Sequence, residues 1–428
     1  MEIKIGKPYL EARGGTVRLC AEVDIPEEGQ LTLFFETEEK WGRYFVTELS
    51  DAFVLAVLKR AMKRKWDISF ETPMSEGLCY QLTTYGIPIL SDMTEIYKKI
   101  ELKGETTASC IPTEGKAGTG FSGGVDSFYT VLKHKNSRFA GHDVSHLVLA
   151  RNGAASSSET EEIARSWFDA SNVKLAEGAK MLGMEYISIW SNIPDFYLED
   201  FCGNGCVIVT SAFIHAMRKL FKIYYWASAY QADILSFKEY NRILDGGFIE
   251  PFTVLLVSVE GLRFYHSGAE VNRVGKVEYI ADSPEAQKNL TVCGEENARN
   301  CGSCVKCLRT MAELNSIGKL EQFKESFPVE KYLQNWTGKL AYEFILDHPP
   351  FTTDIRKSMK KHGRRMPVSV WFKCWFIYLP YHKLRETFKR NYTVRKLYYR
   401  LHLDEKSGRK HSEAMKERRL AECKRKRR

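Results

Sequence analysis

The chain of 428 residues lacks any apolar run long enough to cross a bilayer, which needs ~20 such residues. Its most aromatic stretch, Trp371, Phe372, Trp375, Phe376, Ile377 and Tyr378, is short and broken by Lys373. Met1 to Gly15 has no apolar core of the kind a secretory signal carries, so a cytoplasmic protein is expected. Gly-Lys-Ser/Thr is also missing, and without it a Walker loop has neither its phosphate lysine nor its Mg²⁺ hydroxyl. The eleven cysteines are odd in number and mostly scattered, which argues against a disulfide framework and for a reducing compartment. Acidic residues are scarce at one end only. Phe351 to Arg428 holds 25 Lys+Arg against 7 Asp+Glu, net +18, while the first 350 residues carry −9.

Residues 122 to 127 read Ser-Gly-Gly-Val-Asp-Ser and are the most chemically explicit stretch present. Gly123 and Gly124 let the backbone turn sharply and bring consecutive N–H groups against a polyanion, and Ser122 and Ser127 add hydroxyls. From Asp126 to Lys135, Phe128, Val131 and Leu132 recur at spacings of three and four, so the loop opens a helix whose positive end faces the same anion. A plain turn before a helix needs one or two glycines, but neither the flanking serines nor the acid. The expected occupant is the phosphate tail of a nucleotide, bound by Ser122, Gly123, Gly124, Val125, Asp126 and Ser127. Asp126 is expected to support Mg²⁺, since a carboxylate beside a polyphosphate otherwise repels it.

A second constellation is Cys293, Cys301, Cys304 and Cys307, spaced Cys-x7-Cys-x2-Cys-x2-Cys. Cysteines at intervals of three do not readily pair with one another, but they can converge on one tetrahedral ion. Zinc is the first choice. No proline follows Cys307 as in the bacterial ferredoxin run, though an iron–sulfur cluster or unrelated buried thiols remain alternatives.

Ser-Gly-Gly-x-Asp-Ser resembles the PP-loop of the ATP pyrophosphatases, which split ATP between its α and β phosphates. Followed some 170 residues later by Cys293, Cys301-Gly302, Cys304, Cys307 and Arg309, it is similar to the 7-cyano-7-deazaguanine synthases over about residues 115 to 320. The resemblance implies ATP, Mg²⁺ and structural Zn²⁺, a carboxylate substrate such as a deazapurine, and attack by nitrogen after adenylation. It also implies a catalytic set of Asp126, Lys276 in Arg273-Val-Gly-Lys276-Val, and Asp233 in Ser228-Ala-Tyr-Gln-Ala-Asp233. A solvated lysine is the plainer reading of Lys276. The chain departs from the synthases at Ala150-Arg-Asn-Gly-Ala-Ala-Ser-Ser-Ser, where they carry a substrate-holding segment, so it looks like a divergent branch.

Between the motifs, strand patterns at Val144 to Ala150, Met184 to Trp190 and Ile223 to Ala227 alternate with helical ones at Asn172 to Leu182 and Val207 to Phe221. That alternation predicts an α/β fold, a doubly wound parallel sheet of the PP-loop, adenine nucleotide alpha hydrolase-like type, with its ligand beyond the carboxyl ends of the strands. Lys116 to Phe121 is glycine-rich for a central strand and is expected to be short or bulged. Residues 1 to 112 predict an N-terminal α+β domain, with β-like runs at Glu2 to Ile5, Thr16 to Val23 and Leu31 to Phe35, then a helix capped by Ser50. Its Trp41, Tyr44 and Phe45 are read as core, with contact to a substrate or partner as the alternative. Residues 113 to 320 form the expected nucleotide domain and 321 to 428 a basic, aromatic-containing helical region.

That basic region suits RNA phosphates, an anionic membrane surface or a protein partner, and equally a solvated tail. Its aromatic segment is expected to dock on protein. Two rival functions stand beside the adenylating enzyme. A tRNA thiolation enzyme of the PP-loop type would need a reactive Cys202 or Cys206, and a non-catalytic nucleotide-binding module would keep the pocket without turnover.

Overall fold

The computed structural model describes residues 1–152, 161–197, 207–243, 245–293, 299–346 and 351–390. It is a mixed α/β protein, about half helical, with a large and mostly parallel sheet. The strands are β1 (Glu2–Ile5), β2 (Tyr9–Arg13), β3 (Thr16–Ile25), β4 (Gly29–Glu38), β5 (Asp67–Phe70), β6 (Met74–Ser75), β7 (Leu102–Lys103), β8 (Thr106–Thr107), β9 (Lys116–Gly120), β10 (Val144–Ala150), β11 (Glu185–Ser191), β12 (Phe221–Ala227) and β13 (Arg263–Ser267). Eleven of them form one sheet in the order β13-β12-β9-β10-β11-β4-β3-β1-β5-β7, with β2 on β3.

Residue 112, where a domain boundary is expected, lies within the span of this sheet. β4 pairs antiparallel with β11 through Trp190 with Glu36 and Ser191 with Phe35. Contacts divide the chain along other lines, into one unit of Met1–Ser122, Tyr129–Ser157 and Leu175–Val271 and another of Gly123–Phe128, Ser158–Lys174 and Asn272–Arg428. The first unit contains the whole sheet.

Within that sheet β9 to β13 are parallel, as the alternating pattern predicts. From β9 the chain builds outward through β10 and β11, then returns to add β12 and β13 on the other side. The build direction therefore reverses between β9 and β12, and ligands of open α/β sheets bind beyond the carboxyl ends at such a reversal. Ser122 leaves β9 there, and Ser228 leaves β12.

The glycine-rich β9 is a central strand of five residues with irregular register on both sides. A Cβ on Gly118 would lie 2.5 Å from the Phe221 ring, so the aromatic of β12 fills the space the glycine leaves. Thr119, fully buried, donates its hydroxyl to the Tyr225 carbonyl at 2.8 Å. The polar strand thus satisfies its own polarity.

Trp41, Tyr44 and Phe45 are buried in the first unit's core, which also takes most of the Asp51–Arg64 and Val207–Ala216 helices. Ser50 stands at the cap position, but its hydroxyl donates to the Thr72 carbonyl at 2.8 Å instead of capping. The helix expected to reach Phe221 ends at Ala216, because Met217 to Leu220 turn the chain into β12.

Candidate active site and cysteine centre

The segment Phe121 to Gly124 joins β9 to the Val125–His134 helix. Phe121 continues the parallel pairing by donating to the Val148 carbonyl at 2.9 Å. Gly123 then takes φ +71°, a backbone state that side chains disfavour. Gly124 accepts the first helical bond from Phe128 and also the Ser127 hydroxyl, at 3.0 and 2.9 Å. The second glycine therefore ends the turn and starts the helix. Ser122 is exposed, and Asp126 sits half-buried in the helix's first turn.

In the second unit Asp126 receives two cations. Lys276 Nζ donates to its Oδ1 at 2.9 Å and Arg273 Nη1 to its Oδ2 at 2.6 Å. Both come from the Arg273–Ile280 helix, where a spacing of three puts them on one face. Asn272 caps that helix by accepting from the Gly275 N–H. Arg273 also reaches Glu313, its Nε 3.5 Å from Oε2, and Glu313 is fully buried.

Burial opposes ionisation of Asp126, but the neighbouring charges of Arg273 and Lys276 outweigh it and hold the carboxyl below its ordinary range. Arg273 is raised by the same balance, since the charges of Asp126 and Glu313 overcome its burial. Basic and acidic side chains thus follow one another in the order Lys276, Asp126, Arg273, Glu313. Lys276 is buried, so the plainer reading of a solvated lysine is excluded.

The sequence pattern singled out Asp126 and Lys276, and the fold joins them. Arg273 and Glu313 were missed. Arg273 could have been found from its spacing to Lys276; Glu313 lies 187 residues from Asp126 in a helix that reads as ordinary packing. Asp233 stands exposed in the short turn Ala232–Ile234 of the first unit, without a side-chain hydrogen bond or ion pair among the described residues. Cys202 and Cys206 lie outside the described residues.

The four cysteines converge. The sulfurs of Cys293, Cys301, Cys304 and Cys307 all lie within 4.8 Å of one another, with Cys293 to Cys304 at 3.8 Å and Cys301 to Cys307 at 3.9 Å. A tetrahedral zinc with Zn–S bonds of about 2.3 Å spaces its sulfurs by about 3.8 Å. The set is therefore suited to a single metal ion and compatible with zinc.

Asn300 shapes the knuckle, accepting from the Val292 and Cys293 amides and donating to the Leu290 and Ser326 carbonyls. Gly302 has φ +69°, and a Cβ there would lie 2.3 Å from Pro328 Cγ. Only glycine suits both restrictions. Cys301 accepts from the Ser303 and Cys304 amides, while Cys304 caps the Val305–Ser316 helix by accepting from Cys307 N–H. Burial would push the Cys301 thiol up, but the Ser303 and Cys304 hydrogen bonds bring it down to about 6. Burial pushes the Cys307 thiol up. Arg309, two residues on, stacks its guanidinium 4.0 Å over the Phe351 ring.

Two links tie this knuckle to the loop. The helix that begins at Cys304 carries Glu313 to Arg273, and Thr291, two residues before Cys293, donates its N–H to the Gly123 carbonyl at 2.7 Å. The cysteine centre and the Asp126 cluster thus share one helix and are joined by one backbone hydrogen bond. No family model, curated protein or solved structure matches this chain, so the geometry carries the functional reading by itself.

Proposed function

We propose that the chain is an ATP-dependent adenylating enzyme of the PP-loop type, which forms AMP and pyrophosphate while activating a carboxylate or amide oxygen. The observation that supports it most is the meeting of Asp126 with Lys276 and Arg273 beside a loop whose Gly123 has the left-handed conformation such a cradle uses. Amides and hydroxyls between Ser122 and Ser127 hold the two outer phosphates, aided by the positive end of the Val125–His134 helix.

Without nucleotide, Asp126 keeps the two cations ordered and neutralised. On binding, Lys276 and Arg273 turn their donors to phosphate oxygens, which frees the Asp126 carboxylate; Asp126 would then be the residue that helps hold Mg²⁺. One partly exposed carboxylate is an ordinary Mg²⁺ ligand when substrate phosphates supply the rest, and the ion, when bound, would supply charge neutralisation for the departing group. The acceptor oxygen attacks the α-phosphorus as its bond to the bridging oxygen breaks. Lys276 stabilises the charge gathering on pyrophosphate. A nitrogen nucleophile then attacks the activated carbon, AMP leaves with the bonding pair, and the nitrogen loses a proton to solvent.

The cysteine knuckle fits Zn²⁺ as a scaffold that fixes Thr291 and Glu313. It touches no reacting atom. The substrate class suggested by the resemblance is a carboxylated deazapurine.

The test is product analysis with Mg²⁺, ATP labelled on the γ-phosphate, ammonia and a carboxylated deazaguanine. Labelled pyrophosphate is expected, and Asp126→Ala should lower its release at least about 100-fold. Formation of ADP with labelled orthophosphate would refute the reading.

A further inference from the structure

The helical segment that begins at Val368 has, as far as Leu384, one face covered and one face bare. On the covered face Val370 and Cys374 are buried, Trp371 packs on Phe344 with ring centres 5.6 Å apart, and Tyr378 packs on Tyr342 at 5.5 Å. Positions 370, 371, 374 and 378 follow helical spacing, so this side meets the expectation of docking on protein. The other side does not. Val368, Phe372, Trp375 and Phe376 are 81, 58, 60 and 70% exposed, again at helical spacing. Ile377, Tyr381 and Leu384 extend the bare strip at 49, 55 and 55%. The π turn at Cys374–Tyr378 adds a residue to one turn, which sets Phe376 and Ile377 outward together.

A bare strip of three aromatics and a valine on one helix face is more than scattered surface hydrophobicity, and such patches mark contact sites. Its electrostatic setting selects the partner. From Ile355 to Leu384 the chain has eight Lys or Arg and no Asp or Glu. Arg356, Lys357, Lys360, Arg364 and Arg365 are exposed ahead of the strip and Lys383 is exposed at its far end. A second copy would bring the same positive surface against this one. A nucleic acid would meet the charge and could stack on Phe372, Trp375 and Phe376, but it would leave Val368, Ile377 and Leu384, aliphatic and exposed on the same strip, bare to water, whereas a bilayer interface takes up both kinds of side chain. Phe, Trp and Tyr beside Lys and Arg are what the headgroup layer of an anionic bilayer accepts, with rings at the boundary and cations on the lipid phosphates and carboxylates.

We propose that this outer face of Val368–Leu384 seats the protein on an anionic membrane surface, lying in the interface rather than crossing it. No described helix is long and apolar enough to span a bilayer. The proposal is independent of the adenylation chemistry, since none of its residues touches the Asp126 cluster.

The experiment is co-sedimentation of the full chain with phosphatidylcholine vesicles, with and without about 30 mol% phosphatidylserine. The comparison variant is Phe372→Ser, Trp375→Ser and Phe376→Ser combined. Because these side chains are exposed, its melting temperature should match that of the parent, and circular dichroism checks this. Binding is expected on the anionic vesicles only, partly surviving about 0.5 M salt that screens charge alone, and falling at least about tenfold in the variant. Equal binding by parent and variant would assign attachment to charge by itself and overturn the proposal. So would an absence of vesicle binding. Capture of a short single-stranded RNA lost in the variant and not displaced by vesicles, or a dimer that the variant dissociates, would give the face to another occupant.

Discussion

Two aspartates in this molecule begin helices and meet basic side chains, yet only one of them has the makings of a reactive group. Asp51 is in the first unit, where it accepts from the Ser75 amide and hydroxyl and from Arg218 Nη1, with His215 Nδ1 3.7 Å away. Its side chain and that of Arg218 are each 3% exposed. Asp126 is in the second unit, and its carboxylate is 26% exposed. Burial opposes ionisation of both, and both are nonetheless held below the ordinary range, Asp51 by His215 and Ser75 and Asp126 by Arg273 and Lys276. Lowered acidity does not distinguish a site from a strut here. Access does, because the Asp126 carboxylate is partly open to solvent while Asp51 is sealed from it.

The contrast can be broken first at the metal centre. Replacing Cys301 and Cys304 together by serine should abolish metal binding and destabilise the second unit by several kcal/mol, on the order of half of what structural zinc contributes to small metal-folded peptides. Elemental analysis should find one zinc per native chain. Iron with acid-labile sulfide would contradict the single-ion geometry. Hydrogen exchange should increase around Gly123 and Arg273 in the variant while Asp51 and Arg218 stay protected.

Asp51→Asn is expected to cost about 3–5 kcal/mol in urea unfolding, because it strands a buried guanidinium. Its pH dependence follows from sign. A carboxyl whose folded value is depressed contributes fully above the unfolded value of about 3.9 and loses that contribution as pH falls through the folded one. Asp51→Asn should therefore flatten the acid limb of the stability curve. An unchanged limb would mean that Asp51 is not ionised in the folded protein.

Asp126→Asn should cost somewhat less, about 1–3 kcal/mol, since the carboxylate itself is partly exposed and Arg273 keeps Glu313, although Lys276 is as buried as Arg218. Calorimetry with Mg²⁺ and an α,β-methylene analogue of ATP should show affinity falling at least about tenfold in Lys276→Ala. Equal affinity there would make the Asp126 cluster another strut.

Sequence pattern made much of this legible where chemistry is local. Ser-Gly-Gly-Val-Asp-Ser announced a turn and a helix start, and the cysteine spacing announced a knuckle, because both depend on residues a few positions apart. β1 was read to the residue, and β10 likewise. The pairing of β4 with β11 was not legible, since nothing in Phe35, Glu36, Trp190 or Ser191 says which edges will meet. Glu313 was hidden for the same reason. Its role comes from the distance over which the Cys304-capped helix carries it, not from its neighbours in sequence. The aromatic run at 371 to 378 was half legible: periodicity shows that a face exists, while only packing shows that the covered face is the one with Val370 and Cys374.

The most direct test of the central claim is a crystal soaked with Mg²⁺ and α,β-methylene ATP. The outer phosphates should lie on the amides of Gly123 to Ser127, with Lys276 Nζ moved from Asp126 to a phosphate oxygen. A triphosphate bound elsewhere, with Lys276 still 2.9 Å from Asp126, would contradict the account.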